Sequence, residues 1–420
     1  MKDDSGTDAR GGRAAFDRLG NDHLLVLALT LLVGGSVIAL VSQNTAVRAG
    51  PAIVLSLLLA GVGTAPLLFC LREAIRRSPG ASGLPGLLQQ ACGRRLAAVL
   101  LGLLLLEMLT TLAGAAQSGA RHLHAWLHAL GGQPQHWLPL PLAAALGLLP
   151  VAMAAMLRPR RAVLVACVLL TLKVGVGLLL VLLAARYVHY GNWVPWIPSS
   201  TDSDRFGLGG VLAAATPLLG VFASAGLLLT VAPRVQRPHR QLTRMAGGAV
   251  LSAMLLLMGL AALQSGLVQF AALDSSRPLS VAVQSVPQLQ WMLPLLPVGG
   301  WAGLVALQVV VLLLAMELLP SLWRRPDDDA VGRDDHDPAR VTFALGLAML
   351  AMLLVAWLPE RDVLPPGLVG LPMLAVLCLG LLRPQRQVSG QRTAMVRLLA
   401  LLAAVLCVVP LAWQVQVWLG

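Results

Sequence analysis

The chain has 420 residues, of which 57% are hydrophobic and only 12% are charged. This composition excludes an ordinary soluble globular protein and indicates a polytopic membrane protein. A formal net charge of +12 would suggest a nucleic-acid partner in a soluble chain. Here the membrane topology explains that charge, so no nucleic-acid partner is expected.

Eleven apolar segments are predicted to cross the bilayer as helices, each needing about 20 residues. They are Leu24–Val47, Pro51–Cys70, Leu96–Ala115, Leu138–Leu157, Val163–Ala185, Leu208–Ala232, Ala246–Val268, Val298–Leu319, Val341–Leu358, Gly367–Leu382 and Leu398–Trp418. The expected fold is therefore an all-α polytopic membrane protein with about 11 transmembrane helices.

The arginine distribution predicts the orientation. With the N-terminus in the cytoplasm, 24 of the 31 Lys and Arg residues fall on inner segments and six on outer segments. Such an excess is typical of cytoplasmic loops. Residues 1–23 lack the short apolar core of a signal peptide, so we expect a cytoplasmic N-terminal segment. The prediction is a multi-pass protein of the cell (inner) membrane, with an external C-terminus and no disulfides.

The first span is interrupted near its middle by Gly34-Gly35-Ser36. Each glycine costs a helix interior about 1 kcal/mol relative to alanine. Unwound backbone is tolerated at membrane depth only where protein or a polar cavity receives its N–H and C=O groups. The break is therefore a candidate binding site, although small residues can also simply let two helices pack closely.

The sixth span has a similar interruption, Phe222-Ala223-Ser224-Ala225-Gly226. Two discontinuous helices at corresponding positions predict an inverted repeat of five plus five helices, with a substrate held at the midplane. The repeat would divide a core at 24–385 into spans 1–5 (24–185) and spans 6–10 (208–382). An extra transmembrane helix follows at 386–420.

Lys173 lies near the middle of span 5, in a chain whose only other lysine is Lys2. A charge at that depth costs about 2.5–3.5 kcal/mol on insertion scales. A desolvated amine can lose its proton, which a guanidinium cannot. Lys173 is thus a candidate proton carrier. The alternative is a structural lysine paired with backbone carbonyls of a neighbouring helix.

Two acids lie at membrane depth, where buried carboxylates are candidate functional groups. Glu107 of span 3 is expected to pair with an amine substrate or with another helix. Glu317, near the inner end of span 8, is expected to reach the inner interface.

Two polar segments raise the question of metal binding. One holds His122, His124, His128 and His136, but no cysteine or carboxylate completes a metal site there. The acidic loop 326–340 lacks the ligand spacing of a calcium loop and is interpreted as a solvated linker. No metal and no cofactor are expected. No catalytic motif is present, so an enzyme is not expected.

Several motifs together resemble the amino acid–polyamine–organocation permeases, and are most similar to the cationic amino acid transporter branch. They are Gly34-Gly35-Ser36-Val37-Ile38, Ala49-Gly50-Pro51-Ala52, Cys70 with Glu73 and Arg77-Ser78-Pro79, Leu172-Lys173-Val174, Asn192 to Pro198, and Arg234 to Arg240. The likeness extends from about residue 18 to residue 385.

The resemblance implies a role for particular residues. Gly34, Gly35, Ser36 and Val37 would bind the substrate carboxylate, and Phe222, Ala223, Ser224, Ala225 and Gly226 would surround its amino group and side chain. Lys173 matches a family lysine that replaces a sodium site and serves proton coupling, and Glu107 matches a span 3 glutamate. The sequence departs from the family pattern at Ser36, at Ser224, at Gly226 in place of an acid, and at Pro233-Arg234 in place of paired acids.

The resulting hypothesis is a proton-coupled amino acid permease that works by alternating access. Its partners would be protons, the lipid bilayer and a small or neutral amino acid. The alternative is a transport-inactive relative that acts as a sensor or as a subunit of a membrane assembly, which the altered span 6 motif favours. Retention of Lys173 favours transport.

Overall fold

A computed structural model describes residues 19–35, 47–78, 81, 83–133, 137–200, 205–235, 237–273, 278–322, 338–357, 369–383 and 390–419. Every regular element within these ranges is a helix. The prediction of an all-α chain is confirmed for the residues described.

Within the described residues, the first half of the chain forms seven α-helices of more than one turn. They are α1 (Asn21–Val33), α2 (Ile53–Gly63), α3 (Ala65–Arg77), α4 (Gly83–Cys92), α5 (Arg94–Ala129), α6 (Leu140–Met156) and α7 (Pro159–Ala184). A single turn, Val47–Ala49, and a 3-10 turn, Gly50–Ala52, lead into α2, while further 3-10 turns at Ala185–Tyr187 and Tyr190–Trp193 follow α7.

The second half continues in the same way. Its α-helices are α8 (Gly207–Ala223), α9 (Pro238–Leu267), α10 (Pro278–Gln284), α11 (Leu295–Leu318), α12 (Pro338–Trp357), α13 (Gly370–Gly380) and α14 (Gly390–Leu419). A long 3-10 segment, Ser224–Arg234, follows α8, and shorter 3-10 turns lie at Phe270–Leu273, Pro287–Met292 and Leu319–Leu322.

Among the described residues, six helical stretches are long and apolar enough to cross a bilayer, which indicates a multi-pass membrane protein. They are Val47–Arg77, Arg94–Ala129, Pro159–Tyr187, Gly207–Arg234, Pro238–Leu267 and Leu295–Leu318. The other predicted spans contain shorter apolar helices: Asn21–Val33, Leu140–Met156, Val341–Trp357, Gly370–Gly380 and Ala394–Val409. The number of crossings therefore stays a prediction.

Several helix boundaries differ from those predicted from hydropathy. Helix α5 continues to Ala129, well past the predicted end of span 3 at Ala115. Hydropathy marks only the apolar part of a helix, whereas good helix formers continue α5 beyond it. Helix α9 begins at Pro238, two turns before the predicted span, because proline is favoured in the first turn of a helix.

Helix α11 lies at the centre of the molecule and packs along both α5 and α7. The short helix α1 packs against α7, α9, α11 and the 3-10 segment Ser224–Arg234. Most buried apolar side chains form one continuous core. Helix α1 is thus packed against helices from both halves of the chain.

Candidate functional site

Helix α1 ends at the paired glycines. Its last residue is Val33, and the Gly34 amide still donates a hydrogen bond to the Thr30 carbonyl over 2.8 Å. Gly34 and Gly35 then form a bend. Ser36 and Val37, the other residues predicted to bind substrate in span 1, lie outside the described residues.

Lys173 reaches this helix end from α7. Its side-chain nitrogen Nζ donates hydrogen bonds to the Gly34 carbonyl oxygen over 2.9 Å and to the Gly35 carbonyl oxygen over 2.7 Å. The last carbonyls of an α-helix have no partner within the helix and carry its negative partial charge. An ammonium group is therefore a suitable partner for them. Only 8% of Lys173 is exposed.

This contact bears on both interpretations of Lys173. A lysine paired with the carbonyls of a neighbouring helix is what the structural interpretation predicted. Those carbonyls belong to the break in span 1, which is where the functional interpretation placed the amine. The described side of the break presents carbonyl groups. Of the amides predicted to hold a carboxylate, that of Gly34 is bonded to Thr30, and those of Ser36 and Val37 lie outside the described residues. Binding of a carboxylate by this segment stays a prediction.

Gly303 of α11 also lies beside the amine, and the hydropathy of span 8 does not single it out. A Cβ atom at Gly34 would lie 3.2 Å from the Gly303 carbonyl oxygen and 3.2 Å from Leu307 Cβ. Helices α1, α7 and α11 therefore meet at Gly34, Lys173 and Gly303. The available signal was the small-residue series at 299, 300 and 303, which permits close helix approach.

The predicted interruption in span 6 coincides with a change of helix type. Helix α8 ends at Ala223, and a 3-10 helix begins at Ser224. The Ser224 hydroxyl donates to the Val221 carbonyl over 2.6 Å, within its own turn. Phe222 is almost fully buried at 1% exposure, and Ala223 and Ala225 are buried as well.

Gly226 serves helix packing in this structure. A Cβ atom there would lie 2.9 Å from Leu374 Cδ2 of α13 and 3.3 Å from Leu71 Cδ1 of α3. The contacts of Gly226 thus point to α3 and α13, whereas those of Gly34 point to α7 and α11. The substrate-binding role of the span 6 residues stays a prediction.

Glu107 caps another helix. Its Oε2 accepts hydrogen bonds from the amides of Val369, over 3.0 Å, and Gly370, over 2.8 Å. These amides begin α13, and a carboxylate is favourable at a helix N-terminus because it satisfies free N–H groups and opposes the dipole. Pairing with another helix was one of the two expectations for Glu107.

Glu107 and Lys173 lie at different positions along the axes of the packed helices. Gly119 of α5 packs beside Trp301 and Gln308 of α11, close to the level at which Lys173 contacts that helix. Twelve residues of α-helix separate Glu107 from Gly119, which corresponds to about 18 Å along the axis. The structure therefore does not bring the two predicted proton-coupling residues together.

Two carboxylates form ion pairs on the predicted inner side. Glu317 Oε1 accepts hydrogen bonds from Arg234 Nη2 over 2.7 Å and from Arg234 Nε over 3.1 Å. Glu73 accepts from Arg76 and Arg77, and Arg77 also donates to the Leu381 carbonyl. Glu317 thus pairs with the end of the segment that follows α8, and its position at the inner interface stays a prediction.

Three of the histidines considered as a metal site, His122, His124 and His128, lie along the C-terminal part of α5, on the predicted outer side. The His122 ring packs over Gly300 of α11, and His124 Nε2 is buried. Among the residues that the structure describes, no group of three His, Cys, Asp or Glu side chains could hold a metal ion. His136 lies outside the described residues.

Comparison with known proteins relates this arrangement to transporters. No protein-family model matches the chain. The branched-chain amino acid permease BcaP of Bacillus subtilis is 24% identical over 330 residues, which are 72% of this chain and 66% of that protein. The vacuolar cationic amino acid transporter 2 of Arabidopsis thaliana is 26% identical over 350 residues, 77% of this chain and 53% of that protein. The chain thus spans between about half and two thirds of the length of these relatives.

A solved structure agrees on the fold. The manganese transporter of Eremococcus coleocola aligns with a TM-score of 0.60 over 95% of this chain and 87% of that chain, at 14% sequence identity. The membrane-length helices define a multi-pass membrane protein, and its fold is similar to that of this transporter. The named relatives are amino acid permeases, and they confirm the resemblance to the amino acid–polyamine–organocation superfamily that the motifs indicated.

Proposed function

We propose that this chain is a proton-coupled amino acid permease of the cell (inner) membrane. It would cross the bilayer 11 times, with a cytoplasmic N-terminus, an external C-terminus and five plus five helices in inverted repeats. The observation that carries the proposal is the pair of hydrogen bonds from Lys173 to Gly34 and Gly35. These bonds support the proposal because they bring an amine to the end of α1, in a chain whose fold is similar to that of a solved transporter.

The proposed coupling follows from what the amine does at the break. A charged Lys173 attracts both carbonyls and holds the end of α1 against α7 and α11. A neutral amine donates weaker hydrogen bonds, since bonds from an ionised donor are roughly twice as strong. Loss of the proton would therefore loosen α1 at the glycines. A substrate bound beside that helix end would in this way be linked to proton movement.

The proposed substrate is a small or neutral amino acid. A cationic side chain would need a carboxylate near the span 6 interruption, and Gly226 occupies the position where the family pattern has an acid. The name of the Bacillus relative, a branched-chain amino acid permease, supports an uncharged substrate.

A transport-inactive role, as a sensor or a subunit of a membrane assembly, is the second candidate. The span 6 residues favour it, because Ser224 is bonded to its own turn and Gly226 is packed against leucines. In this role Lys173 would serve only to cap α1.

Uptake by the purified protein in proteoliposomes distinguishes these two functions. Labelled neutral, cationic and acidic amino acids would be supplied outside, with and without an inward proton gradient. The permease predicts concentrative uptake of a neutral amino acid that depends on the gradient. Absence of uptake and of exchange for every amino acid, with ligand binding retained, would instead support the sensor.

A further inference from the structure

Gly303 of α11 lies between the Lys173 side chain and the broken end of α1. A Cβ atom built on Gly303 would lie 2.1 Å from Lys173 Cδ and 2.8 Å from Lys173 Nζ. The same atom would lie 2.8 Å from the Gly34 carbonyl oxygen. Lys173 therefore passes over this glycine, in the space that a side chain would fill, on its way to the carbonyls.

The space matters because these separations are far below normal contact. Non-bonded carbon atoms approach to about 3.5–4.0 Å. A methyl group at position 303 would have to move Lys173 Cδ by more than about 1 Å, or push the backbone of Gly34 away. Either movement lengthens hydrogen bonds that now measure 2.9 and 2.7 Å. Bonds stretched well beyond about 3.2 Å contribute little.

We propose that Gly303 is a positioning residue for Lys173. Because Gly303 has no side chain, Lys173 can pass over it and bring its amine to the Gly34 and Gly35 carbonyls. The effect of Gly303 on transport rests on the proposed function, whereas its effect on the position of the Lys173 amine does not. The sequence of span 8 shows only that position 303 is small. In the structure, the Lys173 side chain occupies the space beside that residue.

The glycines near this junction provide matched controls. A Cβ atom on Gly299, one turn earlier in α11, would meet only hydrocarbon, with Val176 Cβ at 3.2 Å. A Cβ atom on Gly175, two residues from Lys173 on α7, would meet nothing within 4 Å. Gly299→Ala thus tests crowding between α7 and α11, and Gly175→Ala tests the addition of a methyl group alone.

The transport test compares gradient-driven uptake with exchange at equal pH in proteoliposomes. We expect Gly303→Ala to lower the ratio of the two rates by about tenfold or more, because misplacing a reacting group by about 1 Å can have effects of that size. A merely structural defect would lower both rates together. Gly299→Ala and Gly175→Ala are expected to keep the ratio of the natural protein. An unchanged ratio in Gly303→Ala, or an equal fall in Gly299→Ala, would overturn the proposal.

A stability test gives an answer even if the protein moves no amino acid. Melting temperatures in detergent would be measured for Gly303→Ala, Lys173→Ala and the double variant. Interacting residues give non-additive effects, and removing the lysine removes the nearest atom that the new methyl group meets. We expect Gly303→Ala to lower the melting temperature by several degrees when it is introduced into the natural chain. Introduced into the Lys173→Ala variant, the same substitution should lower the melting temperature by less than half as much. Additive shifts would overturn the proposal, independently of transport.

Discussion

The ion pair between Arg234 and Glu317 joins the end of the span 6 segment to the centre of the molecule. Two guanidinium nitrogens of Arg234 share Oε1 of Glu317, at 2.7 and 3.1 Å. The two side chains are only 13% and 12% exposed. Removing one partner of such a pair leaves a poorly solvated charge, which costs about 3–5 kcal/mol in buried cases.

We therefore expect Arg234→Glu to lower the free energy of unfolding by about 3 kcal/mol or more, because two carboxylates then face each other. Glu317→Arg is expected to have a similar effect by placing two guanidinium groups together. The double variant, with Arg at 317 and Glu at 234, restores opposite charges and is expected to recover most of the loss. Denaturation of the purified variants in detergent measures all three.

Arg240→Glu provides the control for this charge swap. Arg240 is exposed on the first turn of α9, so its replacement is expected to change stability by less than about 1 kcal/mol. The reasoning fails if the two single variants match the natural protein. It also fails if the double variant shows the sum of the two single losses, since that result means the residues do not interact.

Three further predictions concern the cap formed by Glu107, the packing at Gly266 and the position of Cys92. Glu107→Ala is expected to destabilise the protein by about 1–3 kcal/mol in thermal unfolding, because the amides at the start of α13 lose their acceptor; an unchanged melting temperature would contradict that cap. Gly266→Ala would place a Cβ atom 3.1 Å from the Trp193 ring and 2.6 Å from Val188 Cγ1. It should therefore lower the free energy of unfolding by about 1–3 kcal/mol. Gly259→Ala on the same helix meets nothing within 4 Å and is its control. Burial raises the pKa of the Cys92 thiol. The rate of its alkylation by an impermeant maleimide should therefore continue to rise above pH 9. The reagent should reach Cys92 only from the predicted inner side, and labelling from the outside would refute the topology.

The sequence predicted the helical content and the two interruptions because both have local causes. Paired glycines favour a helix end because of their low helix propensity, and α1 ends at Gly34-Gly35. The pairs Gly247-Gly248 and Gly299-Gly300 nevertheless lie inside the continuous helices α9 and α11, so the local signal does not by itself decide where a helix ends. The change of helix type at Ser224 likewise falls within a run of small residues. Lys173 stood out because an amine at membrane depth needs a partner.

What the sequence could not predict are the partners, because these come from other helices. Lys173 is 139 residues from Gly34 along the chain, and Glu107 is 263 residues from Gly370. Hydropathy assigns both charged residues to membrane depth but carries no information on which helix faces which. For the same reason Glu107 was grouped with Lys173, although the contacts of Glu107 fasten α13 instead. The role of Gly303 could not be predicted because it depends on the Lys173 side chain that packs over it from another helix.

Proton movement through the Lys173 site is most directly measured with a pH-sensitive dye trapped inside proteoliposomes. Adding a transported amino acid outside should acidify the interior of vesicles that contain the natural protein or Gly175→Ala. Vesicles that contain Lys173→Ala should show no acidification and no gradient-driven uptake, while the protein remains folded. Acidification and uptake by Lys173→Ala at the rate of the natural protein would contradict proton coupling through this lysine.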